Sequence, residues 1–112
     1  MKNNKTIDLN ADLGEYSNEN ELKNEISLIH HITSANIACG GHAGDQASMR
    51  HIIHHCINHG VLVGPHPSYP DRKGFGRSNF SVNDHALKQS IIDQIELFMD
   101  IATKLKTMPM HI

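Results

Sequence analysis

Ala35-Asn36-Ile37-Ala38-Cys39-Gly40-Gly41-His42-Ala43-Gly44-Asp45 decides the fold of this chain. A short apolar run, Ala35 to Ala38, reads as a strand and leads into a glycine-rich bend. Asp45 then stands where a helix N-cap belongs, because its carboxylate can accept from the free N–H groups of a first helical turn. Met49, Ile52, Ile53, Cys56 and Ile57 follow at helical spacing as far as about His59, and Gly60 suits the helix end. This is one strand–turn–helix unit with a histidine and an acid in its turn.

The pattern repeats outward. Upstream, Thr6–Leu9 reads as a strand ending in the turn Asn10-Ala11-Asp12-Leu13-Gly14-Glu15. A helix over Asn20–Ile32 follows, with Leu22, Ile26 and Ile29 on one face. Downstream, Val61–Val63 is a third strand, and a loop over 64–80 begins Gly64-Pro65-His66-Pro67-Ser68-Tyr69-Pro70-Asp71. Ser81-Val82-Asn83-Asp84 has the form of a capping box and opens the longest helix, marked by Leu87, Ile91, Ile95, Phe98, Ala102 and Leu105. Met108–Ile112 starts a fourth strand. The order β-α-β-α-β-α-β predicts a parallel sheet with right-handed crossovers, built as a single domain over 1–112. In such sheets ligands bind at the carboxyl ends of the strands, where all three loaded turns fall.

Composition narrows the partners. Ten Lys and Arg against 12 Asp and Glu give a net charge of -2, which offers nucleic acid or an anionic membrane no attraction. No apolar run approaches the ~20 residues of a membrane span, and no signal-peptide core follows Met1, so a cytoplasmic protein is expected. Two cysteines are too few for a disulfide scaffold.

Asp12, at a strand end, reads as a general base or a metal ligand, and Glu15 as a weaker candidate beside it. His42 in its glycine turn can serve as acid–base catalyst, metal ligand or oxyanion donor. His66, held between Pro65 and Pro67, has a restricted backbone that suits a preorganised site. Asp12, His42 and His66 would fit a divalent metal or metal-free proton transfer equally well. Arg77 offers a bidentate fork for a carboxylate or phosphate. No segment is a phosphate-binding loop of the Gly-Lys-Ser/Thr kind. His51, His55 and His59, with His54 beside them, read as a solvated helix face, and His30 and His31 as helix-end residues.

Three stretches in register carry a resemblance. Asp8-Leu9-Asn10-Ala11-Asp12-Leu13-Gly14-Glu15, Ser34 to Asp45, and His66 to Arg77 resemble the LamB/YcsF family, which includes one of the subunits of the bacterial ATP-dependent 5-oxoprolinase. The resemblance implies a (β/α) barrel of the glycoside hydrolase/deacetylase type and an activity that opens the lactam of 5-oxoproline to L-glutamate. It also implies ATP as co-substrate and separate B and C subunits. On that basis Asp12, His42 and His66 are the catalytic residues, and Asn10, Asn36, Asp71 and Arg77 bind substrate. A metal-dependent deacetylase on a related barrel, with Asp12, His42 and His66 as ligands, and a non-catalytic remnant are the competing expectations. Gly41, where the family usually has an aromatic residue, is expected to loosen the turn that holds His42. A full barrel takes ~250 residues, so the chain is expected to be an N-terminal portion of one.

Overall fold

The computed structural model describes residues 4–79 and 81–112. Three parallel strands, β1 (Asn10–Leu13), β2 (Ser34–Ala38) and β3 (Leu62–His66), lie side by side in chain order. Helices α1 (Glu19–Ile29), α2 (Gln46–Asn58) and α3 (Asp84–Lys104) alternate with them, and α2 packs between α1 and α3. Strands in consecutive order with their helices side by side form a singly wound sheet, the arrangement of a partial (β/α) barrel.

Register sorts the strand residues onto two faces. Ala11, Ala35 and Val63 share one row and Leu13, Ile37 and Pro65 another. These rows meet the helices. Leu13, Ile37 and Val63 are buried with Ile29 of α1, Met49, Ile52, Ile53 and Cys56 of α2, and Phe98, Ile101 and Ala102 of α3. The opposite face carries the rows Asp12, Asn36, Gly64 and Ala38, His66. The core therefore lies under the helices, and the chemistry faces away from it.

Local signals explain most boundaries. Asp45 accepts from Ser48 N at 2.7 Å while Ser48 Oγ accepts from Asp45 N at 2.8 Å, a reciprocal capping box at the start of α2. Gly60 takes the left-handed conformation (φ 68°) after α2, where a side chain would be strained.

Five boundaries differ from expectation, among them the end of α1, at Ile29 rather than Ile32. The first strand lies at Asn10–Leu13 rather than Thr6–Leu9, because fully buried Leu13, not the exposed Ile7 and Leu9, supplies its core anchor. Asp12 consequently lies within the strand and not in a turn after it. β3 runs on through Gly64 and Pro65 to His66. Val63 C=O accepts from Met110 N on the outer side, so the N–H that Pro65 lacks faces that same edge and no bond to β2 is forfeited. The cap of α3 is Asn83, accepting from Ala86 N at 2.8 Å, in place of Ser81. The expected fourth strand at Met108–Ile112 forms no ladder among the described residues; Met110 N donates to Val63 O at 3.1 Å. His111 fills the space over Gly64, where even a Cβ would collide with the His111 carbonyl oxygen.

Candidate active site at the strand ends

Each strand delivers a polar group to one place. At the end of β1, Gly14 turns the chain (φ 77°), and Gly14 N and Glu15 N donate to the two carboxylate oxygens of Glu25 at 2.6 and 3.0 Å. Burial pushes the Glu25 carboxyl up while these two N–H groups oppose the shift. One α1 side chain thus fixes the turn that aims Glu15.

At the end of β2 the Gly40–Gly44 turn closes with Gly40 N donating to Ala43 O at 2.9 Å. Arg72 reaches across from the next loop and donates to Gly40 O and Gly44 O at 3.2 and 2.6 Å. Gly44 (φ 83°) leaves no room for a Cβ, which would sit 2.9 Å from Ala38 O. At Gly41 a Cβ would meet Ser68 Oγ at 2.5 Å and Gln94 Oε1 at 2.6 Å, so these two side chains fill the space beside the turn.

His42 is consequently buried and held from both ring nitrogens. Its Nε2 lies 2.5 Å from Glu15 Oε2, and its Nδ1 lies 2.8 Å from Ser68 Oγ. Ser68 is itself clamped by Gln94 of α3, which accepts from Ser68 N at 3.0 Å and donates to Ser68 O at 2.8 Å. The Phe75 ring meets the His42 ring edge-on at 4.8 Å. His66, at the tip of β3, brings its ring to 4.8 Å from that of His42. His66 Nδ1 lies 3.7 Å from Asp12 Oδ1 and 3.9 Å from Glu15 Oε2. It is the one buried side-chain polar atom without a hydrogen-bond partner among the described residues.

These groups line a pocket of about 220 Å³ formed by Asp12, Glu15, His42, His66, Ser68 and the Phe75–Arg77 segment. Arg77 stands at its rim, its guanidinium carbon 5.9 Å above the Phe75 ring. Asn10 and Asn36 form an amide ladder on the same sheet face. Asn36 Nδ2 donates to Asn10 Oδ1 at 2.7 Å and to Asp12 Oδ1 at 2.9 Å, which orients the Asp12 carboxylate. His111 Nε2 lies 2.8 Å from Asn36 Oδ1. Glu15, His42 and His66 each offer a ligand atom within 4.8 Å of the others, a set able to hold a metal ion, with Glu15 as its carboxylate where Asp12 was expected.

Asp71 is placed differently. Its carboxylate oxygens accept from Gly74 N at 2.9 Å and Ser78 N at 3.0 Å, inside its own loop. These two N–H groups, Gly74 first, hold its carboxyl below the ordinary 3.8. The folded value being depressed, the stabilisation of this loop by Asp71 is complete above 3.8 and disappears as the pH falls through the lower folded value. The amide signals of Gly74 and Ser78 should therefore titrate together with a midpoint under 3.8. A midpoint at or above it would refute the pairing.

The helix-face histidines and both cysteines stand apart from this chemistry. His51, His54 and His59 are exposed and His55 is half-buried among them, away from the pocket. Both cysteines are buried, and burial pushes the Cys39 thiol to about 11 and that of Cys56 to about 12. At neutral pH neither should react with iodoacetamide until the chain unfolds, as mass spectrometry across a urea series would show. Fast alkylation of Cys39 in the native protein would contradict its burial.

A family profile described as the LamB/YcsF family matches residues 7–112. The chain belongs to the LamB/YcsF family. Among curated members of this family, the 5-oxoprolinase A subunit of Brevibacillus brevis is 42% identical over 91 residues, covering 81% of this chain and 36% of that protein. The 5-oxoprolinase A subunit of Chloroflexus aurantiacus is 38% identical over 107 residues, 96% of this chain and 42% of its own length. The crystal structure of a lactam utilization protein from Thermus thermophilus superposes with a TM-score of 0.81 at 30% identity, covering 96% of this chain and 43% of that one. The chain thus spans about two-fifths of the LamB/YcsF proteins it matches. No helix among the described residues is long and apolar enough to cross a membrane.

Proposed function

We propose that this chain supplies the N-terminal strand ends of a 5-oxoprolinase A subunit, part of a cyclic-amide hydrolase acting on 5-oxoproline with ATP. The observation that carries the reading is the convergence of Asp12, Glu15, His42 and His66 in one pocket of a chain about 40% identical to proteins of that name. An unstrained five-membered lactam is a poor electrophile, and transfer of a phosphoryl group from ATP to its carbonyl oxygen makes it a good one. Water then adds to the activated carbon, the ring C–N bond breaks as nitrogen takes a proton, and the resulting acyl phosphate loses phosphate to a second water. The products are L-glutamate, ADP and phosphate.

The proton transfers fall to the pocket. Asp12, oriented by Asn36 and half-exposed, takes a proton from the attacking water. His66, beside it with Nδ1 unpartnered, and His42, locked by Glu15 and Ser68, activate the reacting groups and return a proton to the leaving nitrogen. Arg77 at the rim takes the substrate carboxylate, and Asn10 keeps the amide ladder in register. Asp71 serves the site by holding the loop that carries Phe75 and Arg77. The B and C subunits are the partners, the remaining βα units complete the barrel, and a cytoplasmic setting accords with the use of ATP.

The test combines this chain with a polypeptide carrying the remaining βα units of a relative and with the B and C subunits. Glutamate and ADP should form together, dependent on 5-oxoproline. Their absence, in a mixture where the relative's full-length counterpart is active, would overturn the reading.

A further inference from the structure

We propose that Glu15, His42 and His66 form a binding site for a zinc-class divalent metal ion, with Asp12 beside its open position. The hydrogen bonds around His42 point there. Glu15, His42 and His66 each offer one ligand atom, and these atoms lie within 4.8 Å of one another. Both ring nitrogens of His42 are engaged, Nδ1 2.8 Å from Ser68 Oγ and Nε2 2.5 Å from Glu15 Oε2. In the tautomer with Nδ1–H donating to Ser68 Oγ, Nε2 presents its lone pair beside the Glu15 carboxylate, as a ligating pair does. His66 Nδ1 independently presents a buried, unpartnered nitrogen to the same place, 3.9 Å from Glu15 Oε2.

The surroundings have the form of a tuned site. A ligating histidine ordinarily donates its second N–H to a fixed acceptor, and here Ser68 fills that part with Gln94 clamping its backbone. Two imidazoles and one carboxylate suit zinc and similar borderline ions, whereas magnesium and calcium favour oxygen ligands throughout. Ligand bonds of ~2.0–2.2 Å require the Glu15–His42 pair to open from hydrogen-bond contact as the ion enters. A fourth position then faces Asp12, whose carboxylate lies 3.7 Å from His66 Nδ1. Water held there would be more acidic, with Asp12 placed to receive its proton.

With an ion bound, His42 and His66 would act as ligands and the proton transfers would fall to Asp12; the site goes beyond the lactam reading and is tested without turnover, so either can fail alone. Chelator-treated full chain is titrated with zinc(II) by calorimetry and with cobalt(II) by visible absorption. One equivalent of each should bind, cobalt giving the intense bands of a four-coordinate site. Glu15→Gln and His66→Gln should each weaken binding by at least ~10-fold, and Ser68→Ala by ~10-fold through the orientation of His42. The double change His51→Ala and His55→Ala, on the face of α2 away from the pocket, should leave it unaltered. Unaltered thermal melts of Glu15→Gln and His66→Gln establish that lost binding is not lost folding, and should one fail to fold, the other decides. Absence of binding, binding indifferent to both variants, or binding abolished by the α2 pair would overturn the proposal.

Discussion

Truncating Phe98 to alanine should lower the unfolding free energy by about 3–5 kcal/mol, the range for emptying a buried aromatic site. Phe98 is fully buried and sits in the half of α3 that faces the core with Ile101 and Ala102. The three strands contribute only four or five residues each, so much of the apolar burial comes from the helices. Single domains are stable by about 5–15 kcal/mol in total, so a loss of this size is large on that scale. Urea unfolding followed by circular dichroism measures the loss, and Phe98→Leu should recover more than half. A loss below about 1 kcal/mol would mean that α3 is not docked on the core as described.

On the proposed function, Asp12→Asn should reduce kcat of the 5-oxoprolinase assembled around this chain by ~10²–10⁴ while changing KM little, the signature of a lost general base. Asparagine keeps the shape and retains an oxygen to accept from Asn36 Nδ2, now 2.9 Å from Asp12 Oδ1, so the fold has no reason to move. Asp12 is also half-exposed, which makes the change cheap for stability. Steady-state kinetics with a parallel thermal melt separates the two effects. An unchanged kcat would remove Asp12 from the chemistry.

The arrangement was legible in the sequence where a residue announces its own local duty. Asp45 advertises a cap by type and position, and the turn histidines stand out because neither has a helical or core task. Alternating apolar runs and helical periods gave the parallel α/β order. What stayed hidden depended on direction and distance. Asp12 looked like a turn residue because Ile7 and Leu9 mimic a strand core, and only pairing with β2 shows Leu13 to be the anchor. Glu15 reaches both histidines, while Asp12 approaches His66, because Gly14 turns the chain between the two acids. Glu25, Arg72 and Gln94 lie on helices and loops whose patterning looks ordinary, and their partners are 10 to 32 positions away.

Gln94 has a consequence for how the chain finds its native state. A slip of α3 by one residue would turn Phe98 and Ile101 away from the core. It would also swing residue 94 by about 100° around the helix and pull its amide off the Ser68 backbone. Two directional bonds, one to N–H and one to C=O, add an angular test of register to the apolar fit. Through Ser68 the seating of α3 is thereby coupled to the seating of His42.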